Sequence, residues 1–421
     1  MLDIHFIKEN LELCKTAAKN KNREVEWEKL LSLDETRRKL ITSVEDLRAQ
    51  RNVISRKPVE QARVEGKQIK ESLKGLEEEL RLVEEELQIL LLTVPNVPDK
   101  SVPIGKDTSG NVEEKKWGSM PVFDFTPRDH IELARINELI DFERGAKVGG
   151  FRAYFLKNEA VLLEMGILWY TMRKLATKGY TPLMAPSIVK EFTLFGNGQF
   201  PWGKDEVYHL EKDDVYLAGT AEVPVTAYLS DEVLTESDLP KKFVAFSPCF
   251  RREAGSYGKD TKGIYRLHQF NKIEQVIISI ADSNKSLTLL EELLANAEEI
   301  LQDLKLPYRV ISMCSGDMGE PQVKKYDIET WMPGRPSAGS GLGTYGETMS
   351  DSFMGDFQAR RLKIRYKTKD GKTQFCHTLN NTAIASPRSL TPIFENYQQK
   401  DGSIRVPDVL VPFVGKDVIS R

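Results

Sequence analysis

The chain is poor in the residues that build metal fingers and disulfide scaffolds. Of its 421 residues, four are cysteine and five are histidine. Cys14, Cys249, Cys314 and Cys376 stand far apart, and no pair has finger spacing. That excludes a disulfide framework and predicts buried free thiols in a reducing compartment. The histidines form no metal-ligand pattern either, so zinc is not expected. Long hydrophobic runs are also missing. The longest, around Leu87–Leu92, is far too short to span a bilayer. The start MLDIHFIKENLEL carries early charges and no apolar core, which argues against a secretory leader and for a cytoplasmic protein without membrane association. Charge of one sign is lacking too. A net charge of −3 and a pI near 6.1 argue against nucleic-acid binding over the whole surface and leave room for a local basic patch. What is present is a soluble composition, 40% hydrophobic and 29% charged, long enough for two or three domains.

Residues 1–22 predict a small amphipathic helix through Ile4, Ile7, Leu11 and Leu13. From about residue 27 heptad-like spacing begins, with Leu33, Leu40, Val44, Leu47 and Ile54. After a break near Lys57-Pro58 it resumes through Ile69, Leu73, Leu76, Leu80, Val83, Leu87 and Leu90. Two such segments joined by a short turn predict an antiparallel helical hairpin over about residues 27–93. At ~1.5 Å per residue each helix would reach roughly 40–45 Å, as an arm projecting into solvent. Around its tip Arg48, Arg51, Arg56, Lys57, Arg63, Lys67 and Lys70 outnumber Glu60 and Glu65. That bias suits either a solvated coiled-coil face or a contact with phosphates. The proline-rich VPNVPDKSVPIGKD at 94–107 ends the arm, dividing the chain into 1–105 and 106–421. Beyond it, helices are expected over Glu159–Ala176 and 286–303, and strands over Leu183–Val189, 215–218, 243–250 and 265–279. Pro186 places its strand at an edge or a subunit boundary. A strand, turn and strand follow at 359–380, with Lys369–Lys372 turning, and a helix begins near Arg388. Strands clustered between helices without regular alternation predict an α+β fold with a mostly antiparallel sheet.

Two phosphate-loop look-alikes fail on context. Gly341-Leu-Gly343-Thr-Tyr-Gly346 lacks a strand-then-helix setting and is expected to be a loop, and Tyr366 stands where the phosphate loop ending Gly371-Lys372-Thr373 needs glycine. Four segments remain. In 250–274 two strand-like runs flank a loop with Gly255, Gly258 and Gly263; alternation puts Arg251 with Glu253 on one face, and His268, Phe270, Lys272 and Glu274 on one face of the return. A cation, an aromatic ring and carboxylates on one sheet surface suit a triphosphate, a purine and an amine, which points to amino-acid activation with ATP. Thr220 and Glu222 offer a hydroxyl and a carboxylate to a small polar substrate. Glu347 and Ser350, expected on a loop, suit Mg²⁺, a hard ion that prefers oxygen. Ser386 and Pro387 look like the cap and first residue of a helix from which Arg388 projects toward a phosphate.

Together with GNGQFP at 196–201, TAEVP at 220–224, FRREAGSYGKDTKGIYRLHQFNKIE at 250–274, GDMG at 316–319, DFQARR at 356–361 and ENYQQKDGSIRVPDVL at 395–410, these segments make the chain resemble the seryl-tRNA synthetases, a class II family, over essentially its whole length. The resemblance implies a class II antiparallel sheet of six or seven strands with flanking helices, preceded by the tRNA-binding arm. It implies serine held by Thr220, Glu222, Glu274 and Thr382, with Glu274 meeting either the ammonium or the hydroxyl. It implies ATP held by Arg251, Arg252, Glu253, Leu267, Phe270, Glu347, Thr348, Met349, Ser350 and Arg388, with Arg251 and Arg388 catalytic and Mg²⁺ at Glu347 and Ser350. It further implies a homodimer with tRNA(Ser) reaching across subunits and leaves charging of tRNA(Sec) open. The chain departs from the family pattern at Asn381, Ala383 and Pro387, and at Met349, Asp351 and Phe353. Two other readings are a relative that activates another small amino acid and a non-catalytic tRNA-binding paralogue. The arm argues against the first, and retention of Arg251, Glu274 and Arg388 against the second.

Overall fold

A computed structural model describes residues 1–55, 59–255, 262–336 and 342–421. The chain forms two compact units, Met1–Val97 and Pro98–Arg421.

In the first unit the single helix expected at 1–22 is two, α1 (Ile4–Glu9) and α2 (Leu11–Asn20). The Asp3 carboxylate caps α1 by accepting from the His5 N–H, satisfying one of the helix's orphan donors. Ile7, Cys14, Leu30, Leu87, Leu90, Leu91 and Val94 close into one apolar cluster. The hairpin pairs α3 (Trp27–Ile54) with α4 (Val59–Thr93). Leu40, Val44 and Leu73 are buried along its seam. Lys29–Glu86, Arg37–Glu84 and Arg48–Glu77 bridge the helices at 2.7, 3.4 and 2.7 Å, and their descending partners fix the antiparallel register. With 35 residues, α4 is about 52 Å long at ~1.5 Å per residue, longer than the spacing suggested.

The second unit is built on an eight-stranded sheet. In chain order its strands are β1 (Val112–Trp117), β2 (Thr181–Met184), β3 (Lys241–Phe250), β4 (Gln269–Ser279), β5 (Tyr308–Ser312), β6 (Lys324–Pro336), β7 (Leu342–Gly355) and β8 (His377–Ser386). Their order across the sheet is β1-β5-β6-β7-β8-β4-β3-β2. Every neighbouring pair is antiparallel except β2 with β3. The edge position expected of the proline-bearing strand is that of β2. The strand is shorter than 183–189, however: Ile188–Val189 belongs to a separate small sheet with Val215–Leu217. Pro186, with no N–H to donate, lies in the break between them.

Helices α5 (Glu159–Thr177) and α7 (Ser283–Asp303) bury one face of the sheet. Leu163, Ile167, Leu175, Leu290, Leu294 and Ile300 pack there with Ile273, Ile277, Leu379 and Ile384. The opposite face carries a smaller cluster with Phe243, Ala245, Val276 and Ile278, together with the short helix α6 (Glu222–Ala227). Alternation along β4 therefore sends Lys272, Glu274, Val276 and Ile278 to this second face, away from the main core.

Candidate active site

Strand β3 ends at Phe250, so Arg251 and Glu253 are not strand residues as expected. The ladder survives one step further, where the Arg251 N–H donates to the His268 carbonyl at 3.0 Å. Glu253 then takes a left-handed φ of 55° and places its carboxylate 2.7 Å from Arg266. Glu206 pins the turn by accepting from the Ala254 and Gly255 N–H groups at 3.1 and 2.7 Å. Arg251 donates through Nε to the Gly219 carbonyl at 3.2 Å, and its guanidinium lies 5.2 Å from the centre of the Phe270 ring. The tip around Gly258 falls in 256–261, outside the described residues.

Glu347 and Ser350 lie within strand β7, not on a loop. The glycine-rich stretch joins the ladder from Leu342 onward because β6 pairs with it, Met332 opposite Thr344 and Trp331 opposite Tyr345. At Gly343, with φ of 94°, a Cβ would meet the Trp331 ring at 2.4 Å, so glycine there permits the hairpin. An extra residue in β7 shifts the register between Ile328–Met349 and Glu329–Glu347. Thr348 is turned inward and shares a 2.7 Å hydrogen bond with Thr330. The departures Met349 and Phe353 are core residues. Asp351 is fully buried opposite Asn381, and burial pushes its carboxyl well above the usual range.

Ser386 is the last residue of β8, paired with Asn271, and the following helix α8 starts only at Leu390. The expected cap at Ser386 is thus replaced by a turn, since the ladder with β4 holds the chain extended to that point. Arg388 lies in the turn and donates to the Tyr265 and Glu347 carbonyls at 3.0 and 3.3 Å. Its guanidinium sits 4.6 Å from the Tyr265 ring centre, and that of Arg335 4.3 Å from the same ring. The Tyr265 hydroxyl donates to the Glu347 carbonyl at 2.8 Å. Tyr265 and Arg335 were not singled out in the sequence; stacking between residues distant along the chain has no linear signature.

One cavity gathers most of these groups. Arg251, Glu253, Leu267 and Phe270 line it from the β3–β4 hairpin, Glu347 to Ser350 from β7, and Thr382 and Arg388 from β8 and its turn. Arg252 does not line it; that side chain is exposed, and its N–H bonds to the Glu206 carbonyl at 2.9 Å. Burial works to raise the Glu347 carboxyl, but Arg388, Lys325, Arg251 and Arg266 together outweigh it and hold the group below its ordinary range.

Thr220, Glu222 and Glu274 form a polar cluster beside Thr382. Glu222 is the first residue of α6, and the Thr220 hydroxyl accepts from its N–H at 3.1 Å. Glu222 Oε1 accepts from Gln358 and Asn380 at 2.8 and 2.9 Å. Burial first, and the charge of Glu274 second, push its carboxyl up to about 7. The register between β4 and β8 slips by one residue after Ile273, so Thr382, not Ala383, lies opposite Glu274. Ala383 turns into the main core, and the Thr382 hydroxyl reaches Glu274 Oε2 at 3.1 Å. Lys272, missing from the expected site, is buried among these residues.

Comparison with known proteins places this geometry. A family model described as the tRNA synthetase class II core domain (G, H, P, S and T) matches residues 206–397, and one described as the seryl-tRNA synthetase N-terminal domain matches residues 1–98. The chain is 45% identical to a serine–tRNA ligase of Deinococcus radiodurans, covering 99% of this chain and 98% of the relative. It resembles the seryl-tRNA synthetase of Pyrococcus horikoshii complexed with ATP at a TM-score of 0.92 and 37% identity, covering 100% of this chain and 99% of that one. It resembles a serine–tRNA ligase of Naegleria fowleri in complex with AMP at 0.89 and 33%, with the same coverage.

Proposed function

The chain belongs to the seryl-tRNA synthetase family, and on that footing we propose how its residues divide the work of a serine–tRNA ligase. The reaction has two steps. A serine carboxylate oxygen attacks the α-phosphorus of ATP and pyrophosphate leaves. A hydroxyl of the 3′-terminal ribose of tRNA(Ser) then attacks the seryl carbonyl and AMP leaves.

The observation that carries the assignment is the single cavity joining Arg251, Phe270, Glu347 and Arg388. Phe270 offers a flat face to adenine, and Arg251 beside it holds the α-phosphate and stabilises the charge that builds during attack. Arg388 covers the other face of the base and reaches the γ-phosphate. Glu253 and Leu267 border the purine. The substrate carboxylate is already ionised, so no side-chain base is required and alignment supplies much of the rate. Glu347, kept ionised by its cations, and Ser350 on the same strand present oxygen donors that fit Mg²⁺. When bound, the ion would neutralise polyphosphate charge. Serine lies against Thr220, Glu222, Glu274 and Thr382. Glu222, which also meets the amides of Gln358, Asn380 and Asn197, is assigned to the serine ammonium.

The tRNA is read by the hairpin. Arg51, Lys67 and Lys70 are exposed there, whereas Arg48 is engaged with Glu77. Arg56 and Lys57 lie outside the described residues, as does the side chain of Arg63. Among the described residues no helix is long and apolar enough to cross a membrane. All four cysteines are free and buried, which supports a reducing, cytoplasmic setting.

The test is serine-dependent ATP–pyrophosphate exchange followed by charging. Arg388→Ala is expected to slow exchange about 10²–10³-fold while tRNA affinity, read by filter binding, stays unchanged. Charging is run with tRNA(Ser) and tRNA(Sec), and acceptance of the second decides whether the arm serves both. No exchange with any amino acid would refute the reading; preference for glycine or alanine would move it to another small substrate.

A further inference from the structure

Three of the four groups assigned to serine converge on one cation, Lys272, to which the resemblance gives no role. Lys272 sits on β4 two residues before Glu274 and is 4% exposed. Its Nζ lies 2.7 Å from Glu274 Oε2, 2.7 Å from the Thr220 hydroxyl and 3.3 Å from the Thr382 hydroxyl. An ammonium carries three donors and no acceptor. Each contact therefore fixes what its partner has left to offer.

The consequences can be followed atom by atom. Thr220 Oγ accepts from Lys272 and also from the Glu222 N–H at 3.1 Å. With both lone pairs engaged, that hydroxyl can only donate to a substrate. Thr382 Oγ accepts from Lys272 and donates to Glu274 Oε2 at 3.1 Å, which leaves it one lone pair and makes it an acceptor. Both contacts to Glu274 fall on Oε2, so Oε1 remains for substrate. Charge follows the same logic. Glu222 and Glu274 are two carboxylates close enough for one to raise the other. With Lys272 beside them and Glu222 ionised, the cluster carries one net negative charge, which matches one substrate ammonium. Buried charges are tolerated when balanced in this way and are costly when they are not.

We propose that Lys272 is the positioning residue of the serine pocket: it neutralises Glu274 and sets Thr220 as a donor and Thr382 as an acceptor, so that the pocket reads one ammonium and one hydroxyl. Selection for serine over alanine then depends on Lys272, although the lysine itself touches pocket walls and not the reacting atoms. A site whose polar groups are preset for a substrate hydroxyl penalises an analogue that leaves them unpaired. This rests on the assignment of serine to that cluster.

The experiment measures amino-acid-dependent exchange for serine and alanine in the full-length protein. Lys272→Met is expected to raise the KM for serine about 30-fold, consistent with buried partners left unpaired, and to leave the KM for ATP within a few-fold. The ratio of kcat/KM for serine over alanine is expected to fall about tenfold or more. In Lys272→Ala, n-propylammonium is expected to restore serine activation saturably, while 1-propanol of equal size is not. If Lys272→Met does not fold, judged by its thermal melt, the same ratio is read from Lys272→Arg, which keeps the charge but not the three-point ammonium geometry. An unchanged serine-to-alanine ratio in the folded variant overturns the proposal, as does an equal loss for both amino acids without amine rescue. Glu222→Gln is run alongside. An unaltered serine KM in that variant would show that the pocket is misassigned, whatever Lys272 does.

Discussion

Glu222 pulls the protein in two directions as pH changes. Its carboxyl is pushed up to about 7 by burial and by the neighbouring charge of Glu274. The ionised form is the one that can receive an ammonium. Below that value kcat/KM for serine is therefore expected to fall about tenfold per pH unit, since this ratio reports groups of the free enzyme. The dependence on ATP should stay flat over the same range. Folding stability moves the opposite way. A carboxyl raised in the native state binds more protons there than in the unfolded chain between about pH 4.5 and 7. Its stabilising contribution is largest below the unfolded value and is lost as pH rises through the folded one. Denaturant titrations at pH 5 and 8, compared between the parent and Glu222→Gln, check this: the parent's pH-dependent loss should shrink in the variant.

At the level of elements, the hairpin and the sheet were unequally legible. The arm followed from spacing alone, because Leu40, Val44 and Leu73 recur at the seam and a two-helix contact has no other partner to confuse the pattern. Helix α7 begins at Ser283, three residues before its expected start, because Asp282 caps it by accepting from Lys285. The site residues themselves were legible as types in a familiar order, but their settings were not. A one-residue slip after Ile273 decides that Thr382 faces Glu274, and no periodicity announces a slip of one. The glycine stretch read as a loop, since no strand-then-helix setting surrounds it, yet at Gly346 a Cβ would lie 2.5 Å from Arg335; close approach of a neighbour, not flexibility, is what glycine supplies there. Lys272 was visible on the right face of its strand, but its partnership with three residues distant in sequence was not. The division of labour between elements can be tested directly. Replacing residues 40–80 with a short connector is expected to leave serine-dependent exchange within about twofold, because every cavity residue belongs to Pro98–Arg421, and to abolish charging of tRNA(Ser), since the proposed phosphate contacts of the hairpin would go with it.

On the scale of the whole molecule, α5 shows an apolar face to solvent. Val161, Leu162, Met165 and Trp169 are 41%, 44%, 62% and 57% exposed, and spacings of three and four along a helix put them on one side. A stripe of this kind marks an interaction surface, and we propose a second copy of the chain as its occupant. Met165→Glu is expected to convert a dimer to a monomer in analytical ultracentrifugation, because a desolvated carboxylate would be left without a partner at the interface.

The strand placement of the groups proposed to hold nucleotide and serine has its own outcome. Phe270, Glu347, Ser350 and Thr382 sit on β4, β7 and β8, adjoining members of one ladder. No hinge separates chemistry from scaffold at these positions, so heat cannot silence the first while sparing the second. Pyrophosphate exchange and the circular-dichroism signal of the sheet should vanish together on warming, with one midpoint between them.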